Sequence, residues 1–172
     1  MRALGYLLLS CWAVMASAIA TAEVNFNFKI AEFSEQLSQS SVSAITQSTS
    51  GELWVATQEG LNKYNGHEVR NYRSSLSDEG SISSDVVTAI SETAGGSLYI
   101  ATLGGGLNRY DPIAGNFETI FAAESSEQTP ISDNIYTLFS DSAGYLWIGY
   151  EGSFSRFDPK TRAFKHFYEA PL

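Results

Sequence analysis

The chain has 172 residues, a formal net charge of -9 at pH 7, 44% hydrophobic residues and one cysteine, Cys11. That acidity argues against nucleic acid and against anionic membrane surfaces, both of which select clustered Lys and Arg. A lone cysteine cannot staple a small scaffold, so the fold must rest on an apolar core.

The first 22 residues stand apart. Arg2 gives a positive start, residues 6–20 form a nearly unbroken apolar run, and Ala20-Thr21-Ala22 offers small residues to a signal peptidase. This is the layout of a secretory leader cleaved after Ala22, with a run short for a membrane span. An uncleaved anchor is the alternative, and Cys11 as a lipoprotein site is set aside because the apolar run continues through Trp12 to Met15. Cleavage would remove Arg2 and Cys11, take the formal charge from -9 to -10, and leave an exported, periplasmic protein without disulfides or direct membrane binding.

Residues 24–33 alternate polar and apolar side chains and read as a leading strand. Residues 23–41 thus hold this strand and a Ser-rich connection, and three repeats follow at 42–83, 84–132 and 133–172. One phrase recurs: Leu53-Trp54-Val55-Ala56-Thr57, Leu98-Tyr99-Ile100-Ala101-Thr102 and Leu146-Trp147-Ile148-Gly149-Tyr150. Trp54, Tyr99 and Trp147 are spaced by 45 and 48 residues. A second phrase follows each: Leu61-Asn62-Lys63-Tyr64, Leu107-Asn108-Arg109-Tyr110 and Phe154-Ser155-Arg156-Phe157. A repeat of this length is one supersecondary unit that buries its apolar surface against a neighbouring copy.

Within each repeat, turn chemistry cuts the chain into four short strands. They are expected at 42–47, 53–57, 61–64 and 68–72, then 86–91, 97–102, 107–110 and 117–121, then 135–139, 146–150, 154–157 and 163–167. Asn65-Gly66 predicts a type I′ hairpin turn with positive φ at both residues. The second strands are apolar at every position, so their sheets must be covered on both faces. No amphipathic helix is present to cover them, leaving the next copy of the unit as the cover. Four-stranded sheets stacked around an axis make a β-propeller. The expected fold is therefore all-β, an incomplete propeller of three four-stranded antiparallel blades with a leading strand.

The repeated pattern of Leu-Trp-Ile-Gly/Ala-Thr, Gly-Leu, Asn-Arg-Tyr-Asp and a final Phe resembles the two-component regulator propeller repeat, over residues 42–167. The resemblance implies a periplasmic sensor propeller from a bacterial receptor with a histidine kinase or diguanylate cyclase output. It implies oligosaccharides as frequent ligands. The chain departs from the pattern at Tyr150 and at Ser153-Phe154, and it is expected to carry no membrane helix after the leader and no output domain. Three repeats fall short of the roughly four to eight blades of closed propellers. A truncated reading frame, completed by the remaining blades of a longer chain or by self-association, is the expectation.

Chemistry is sparse. His67 and His166 lack metal-ligand spacing, no Gly-x-Ser-x-Gly elbow occurs, and Gly104-Gly105-Gly106 lacks the helix of a phosphate loop. Asp141-Ser142-Ala143-Gly144 resembles part of a calcium loop, but an Asp capping its own turn explains it. Trp54, Tyr99 and Trp147 are expected between blades, and Lys63, Arg109 and Arg156 in repeated ion pairs or beside those rings. No cofactor, metal or catalytic residue is expected. Ligand contacts are placed on the rim loops, at Glu59, Asp78, Glu79, Leu103, Asp133 and Glu151, where carboxylates can accept hydrogen bonds from sugar hydroxyls. Two rival readings are an exported polysaccharide lyase or hydrolase and a scaffold that completes its ring by oligomerising.

Overall fold

Among the described residues, twelve strands form three separate four-stranded antiparallel sheets, each meandering in chain order from first strand to fourth. The computed structural model describes residues 31, 33–123 and 128–168. The expected leader at 1–22 lies outside them, as does the leading strand apart from Ala31 and Phe33, which sit in coil and turn. Blade 1 consists of β1 (Val42–Gln47), β2 (Leu53–Thr57), β3 (Gly60–Tyr64) and β4 (Val69–Tyr72). Blade 2 consists of β5 (Val87–Glu92), β6 (Leu98–Thr102), β7 (Leu107–Asp111) and β8 (Asn116–Ile120). Blade 3 consists of β9 (Thr137–Ser140), β10 (Leu146–Tyr150), β11 (Ser153–Asp158) and β12 (Ala163–Tyr168). The only helical segment among the described residues is a 3-10 turn, Ser34–Gln36.

Strand pairing sorts each blade into rows of side chains on alternate faces. In blade 1, Ala44-Ala56-Leu61-Tyr72 and Thr46-Trp54-Lys63-Arg70 lie across neighbouring strands on one face. That face meets the Ile90-Ile100 and Leu98-Tyr110-Phe117 rows of blade 2, burying Trp54, Leu61 and Ile100 almost completely. The opposite face of blade 2, with Ala89, Tyr99, Ala101 and Leu107, meets Leu146, Ile148, Phe157 and Phe164 of blade 3. The second strand of blade 2, β6, is buried at every position because it lies between two sheets. Hydrogen bonds repeat with the blades: the Ser43 hydroxyl donates to the Val87 carbonyl at 2.6 Å, and the Thr88 hydroxyl to the Ile135 carbonyl at 2.7 Å.

Three local expectations change. The third strand, expected at 61–64, begins a residue early, because Gly60 already opens β3. The hairpin at Asn65-Gly66 is not type I′: Gly66 has φ 98°, but Asn65 is not among the positive-φ residues. Asn65 instead spends its side-chain oxygen on the N–H groups of His67 and Glu68, at 2.9 and 3.0 Å, lengthening the loop. Trp147, expected between blades, lies on the outer flank of blade 3, against its own Phe154 and Phe167.

The third repeat also solves a packing problem that the sequence leaves unmarked. Ala44 faces Ala56, Ala89 faces Ala101, and Thr137 faces Gly149. A Cβ at Gly149 would stand 2.5 Å from the Thr137 methyl carbon. A larger residue on β9 is matched by a smaller one on β10, as close packing requires.

Candidate functional site

One rim of the described sheets gathers the second-to-third strand turns and the described residues of the two connecting loops, 73–86 and 121–123 with 128–136. Backbone hydrogen bonds tie them together. Gly60 N–H donates to the Asp85 carbonyl at 2.8 Å, Leu103 N–H to Val86 at 3.0 Å, and Gly106 N–H to Asp133 at 2.9 Å. The Ser83 hydroxyl reaches the Gly105 carbonyl at 2.6 Å and that of Ser84 reaches Leu103 at 2.9 Å. The first loop is thus pinned to the turns of both flanking blades. Gly105 is required by this closeness, since its Cβ would lie 2.5 Å from the Ser83 hydroxyl oxygen. The triglycine is a hairpin turn, as its lack of a following helix suggests.

The asparagine of the repeated phrase is the second fastening. Asn108 is fully buried; its oxygen accepts from Ser83 N–H at 3.1 Å and the Thr119 hydroxyl at 3.0 Å, and its amide donates to the Ser83 hydroxyl at 2.8 Å. Asn62 holds Ser38 N–H in the same manner at 2.8 Å. In blade 3 the register falls on Ser155, whose hydroxyl lies 2.8 Å from His166 Nδ1. Ser155 is fully buried, so this Ser–His contact presents no accessible nucleophile.

The six expected ligand contacts divide. Asp133 accepts Ala122 N–H on Oδ1 at 2.7 Å, the contact that Asp85 makes with Ser74 N–H at 2.6 Å, so both are loop caps. Leu103 is half-buried and held by its backbone. Glu59 is exposed and pairs with Arg73 at 3.3 Å. Glu151 is exposed beside a small pocket of about 110 Å³ with Tyr136 and Tyr150. Asp78 and Glu79 come together in a groove of about 570 Å³ between the first connecting loop and β8. Its apolar lining includes buried Ile82 and Phe117, with exposed Leu76 and Phe121, and Glu118 also lines it. Hydrogen-bonding loop groups beside an apolar surface suit a small polyhydroxylated molecule. Leu76, Phe121 and Glu118 were absent from the expected set, and exposed apolar residues in a polar loop were the available signal.

The electrostatics are local. Arg162 first, then Arg109, holds the Glu118 carboxyl below its usual range, at 2.7 and 2.9 Å. Burial pushes Glu52 up, but Lys63 at 2.6 Å and the Ser50 hydroxyl at 2.9 Å together outweigh it and the net shift is downward. For Lys63, burial likewise opposes the charge and Glu52 restores it, leaving the ammonium raised. Its Nζ also lies 5.4 Å from the Trp54 ring centre. Arg156 instead covers Tyr145 at 4.2 Å. The three repeated basic residues therefore serve separate local contacts. Asp141 caps its own turn, accepting Ala143 and Tyr145 N–H at 3.0 and 2.9 Å, and binds Trp147 Nε1 at 2.7 Å. Trp147 is the leading cause that lowers its pKa.

Residues 129–152, spanning the end of the second loop through β10 and its turn, match the two component regulator propeller family. The extracellular domain of BT3049, described as a hybrid two component system of B. thetaiotaomicron, superposes with a TM-score of 0.67 at 27% identity, over 74% of this chain and 18% of that one. The extracellular domain of BT4673 from the same organism shares the fold, with a TM-score of 0.60 at 22% identity over 75% of this chain and 18% of its own. Histidine kinase P4 of Formosa agariphila is 40% identical over 83 residues, 48% of this chain and 6% of that protein. The chain thus spans a small part of each relative's length.

Proposed function

We propose that this chain is a ligand-sensing propeller segment of an exported bacterial signal-transduction receptor, of the two-component or cyclic-di-GMP type, and is itself non-catalytic. The observation that carries this reading is the likeness to BT3049, an extracellular domain of a hybrid two component system, at 27% identity with a TM-score of 0.67. The leader read at residues 1–22 agrees with export to the periplasm. In this reading the segment belongs to a longer chain. Its ligand is an oligosaccharide or similar polyol taken up at the rim. The groove with Asp78 and Glu79 is the principal contact, and Glu59, Leu103, Asp133 and Glu151 frame the same face.

Two measurements test this. Genomic sequence flanking the coding segment is expected to show further repeats, a membrane helix and a kinase or cyclase; a hydrolase domain there overturns the sensor reading. A panel of oligosaccharides is expected to raise the melting temperature of the full chain, with the rise lost in Asp78→Asn/Glu79→Gln. No shift with any saccharide would sink the ligand assignment.

A further inference from the structure

Blades 1 and 2 fasten the segment that leads into them with three polar residues, and blade 3 replaces all three at once. Repeated bonds fix the registers: the Ser43 and Thr88 hydroxyls reach the Val87 and Ile135 carbonyls, and Gly60 and Gly106 N–H reach those of Asp85 and Asp133. Counting back along the chain makes Ser38, Ser83 and Ile131 counterparts. Thr57, Thr102 and Tyr150 correspond at the ends of the second strands, and Asn62, Asn108 and Ser155 in the third.

In blade 1, Asn62 Oδ1 accepts Ser38 N–H at 2.8 Å, and the Ser38 and Thr57 hydroxyls meet at 2.8 Å. In blade 2, Asn108 Oδ1 accepts Ser83 N–H at 3.1 Å, and the Ser83 and Thr102 hydroxyls lie 3.4 Å apart. The fourth strand adds one more donor to each asparagine oxygen, from Asn71 and Thr119.

Blade 3 has other means. Ile131 carries no hydroxyl, and a serine side chain ends one atom short of an asparagine amide oxygen, so Ser155 lacks the same reach. Tyr150 is longer than threonine, and strand alternation puts it on the same sheet face as Ser155. Its hydroxyl is buried, and no hydrogen bond from it to a described group is completed. Burial pushes this phenol up, and the groups that act most against the shift are the Ser155 hydroxyl and the Ile131 backbone. These are the counterparts of the groups that bond in blades 1 and 2. Ser155 Oγ in turn lies 2.8 Å from His166 Nδ1, opposite it on the fourth strand.

We propose that Tyr150 is the loop clasp of blade 3: its hydroxyl accepts Ile131 N–H and donates to Ser155, whose hydroxyl donates to His166 Nδ1. Proton supply sets the direction. The Ile131 amide can only donate, each hydroxyl both accepts and donates, and an unprotonated imidazole nitrogen ends the chain as acceptor. Every donor then has one acceptor, and no buried hydroxyl stays unpaired. A small approach of Ile131 to Tyr150 completes the clasp. Both residues line the pocket of about 110 Å³ beside Glu151, so completing the clasp narrows that pocket. The clasp does not depend on the rim taking a saccharide.

Hydrogen exchange and NMR on the full chain test this. Tyr150→Phe keeps the ring and removes the hydroxyl. Exchange at the Ile131 amide is expected to quicken roughly fivefold, as for one lost hydrogen bond, with the Ser83 amide of blade 2 unchanged. Unchanged exchange at Ile131 overturns the proposal, and a higher melting temperature would then mark a phenol buried without a partner. Equal quickening at Ile131 and Ser83 marks a general loss of stability and overturns the local clasp. Long-range proton–nitrogen spectra at neutral pH, assigned with His67→Gln, are expected to show His166 Nδ1 without a proton and shifted by Tyr150→Phe. A proton on Nδ1 reverses the chain and overturns it, as does an Nδ1 signal indifferent to Tyr150→Phe.

Discussion

Gly149→Ala isolates the packing exchange in blade 3. Gly149 has no positive φ, so alanine is free to adopt its backbone and the cost is steric. The new Cβ would meet the Thr137 methyl carbon at 2.5 Å, about 1 Å inside the ordinary contact distance between carbons. Overpacking of this kind costs about 1–3 kcal/mol, offset by roughly 0.4–1 kcal/mol because alanine restricts the unfolded chain. A net loss of about 1–2 kcal/mol is expected, read as a fall in urea midpoint of roughly 1 M for a slope near 1–3 kcal/mol/M. Thr137→Ala in the same background recreates the Ala–Ala pair that blades 1 and 2 use at this register. It should therefore recover most of the loss, giving a coupling energy on the order of 1 kcal/mol or more in the double-mutant cycle. If the two changes add to within about 0.5 kcal/mol, the expected limit for independent sites, the argument from register is wrong.

Asn108→Ala should cost about 2–3 kcal/mol in denaturant titrations, since it leaves buried loop donors unpaired, and hydrogen exchange should show the Ser83 amide losing protection. Arg162 holds φ 59° in the register of Gly115, so Arg162→Gly relieves roughly 1–2 kcal/mol of left-handed strain but breaks the Glu118 pair. Its melting temperature should therefore rise in 1 M salt (a concentration that screens surface pairs) by more than at low salt, and equal shifts at both would refute this. Glu52 and Glu118 titrate below their ordinary value of 4.5, so both stabilise the fold above that pH and lose their contribution as the pH falls through the lowered values. Thermal melts should accordingly fall from pH 5 toward pH 3, and Glu118→Gln should flatten that slope.

The strands were legible because their causes are local. Spacings of 45 and 48 residues, continuous apolar runs such as Leu98-Tyr99-Ile100, and glycine-bearing turns each act within a few residues. The rim was legible only as a place. Asp133 and Asp78 look alike in sequence as loop carboxylates. Folding spends the first on Ala122 N–H, whereas the second, which also accepts Gly80 N–H at 3.0 Å, lines a groove. Asn65 shows the same limit at a turn: Asn-Gly permits type I′, but the side chain found the His67 and Glu68 amides instead.

What the chain determined by itself is the repeat: four strands per unit, apolar second strands, and sheets that must be covered by sheets. What only tertiary structure decided is which equivalent residue is covered. Trp54 and Tyr99 are buried between blades, while Trp147, in the same register, stands on an outer flank with its indole tied to Asp141. A register specifies the direction a side chain takes from its own strand, but burial depends on whether another sheet lies in that direction.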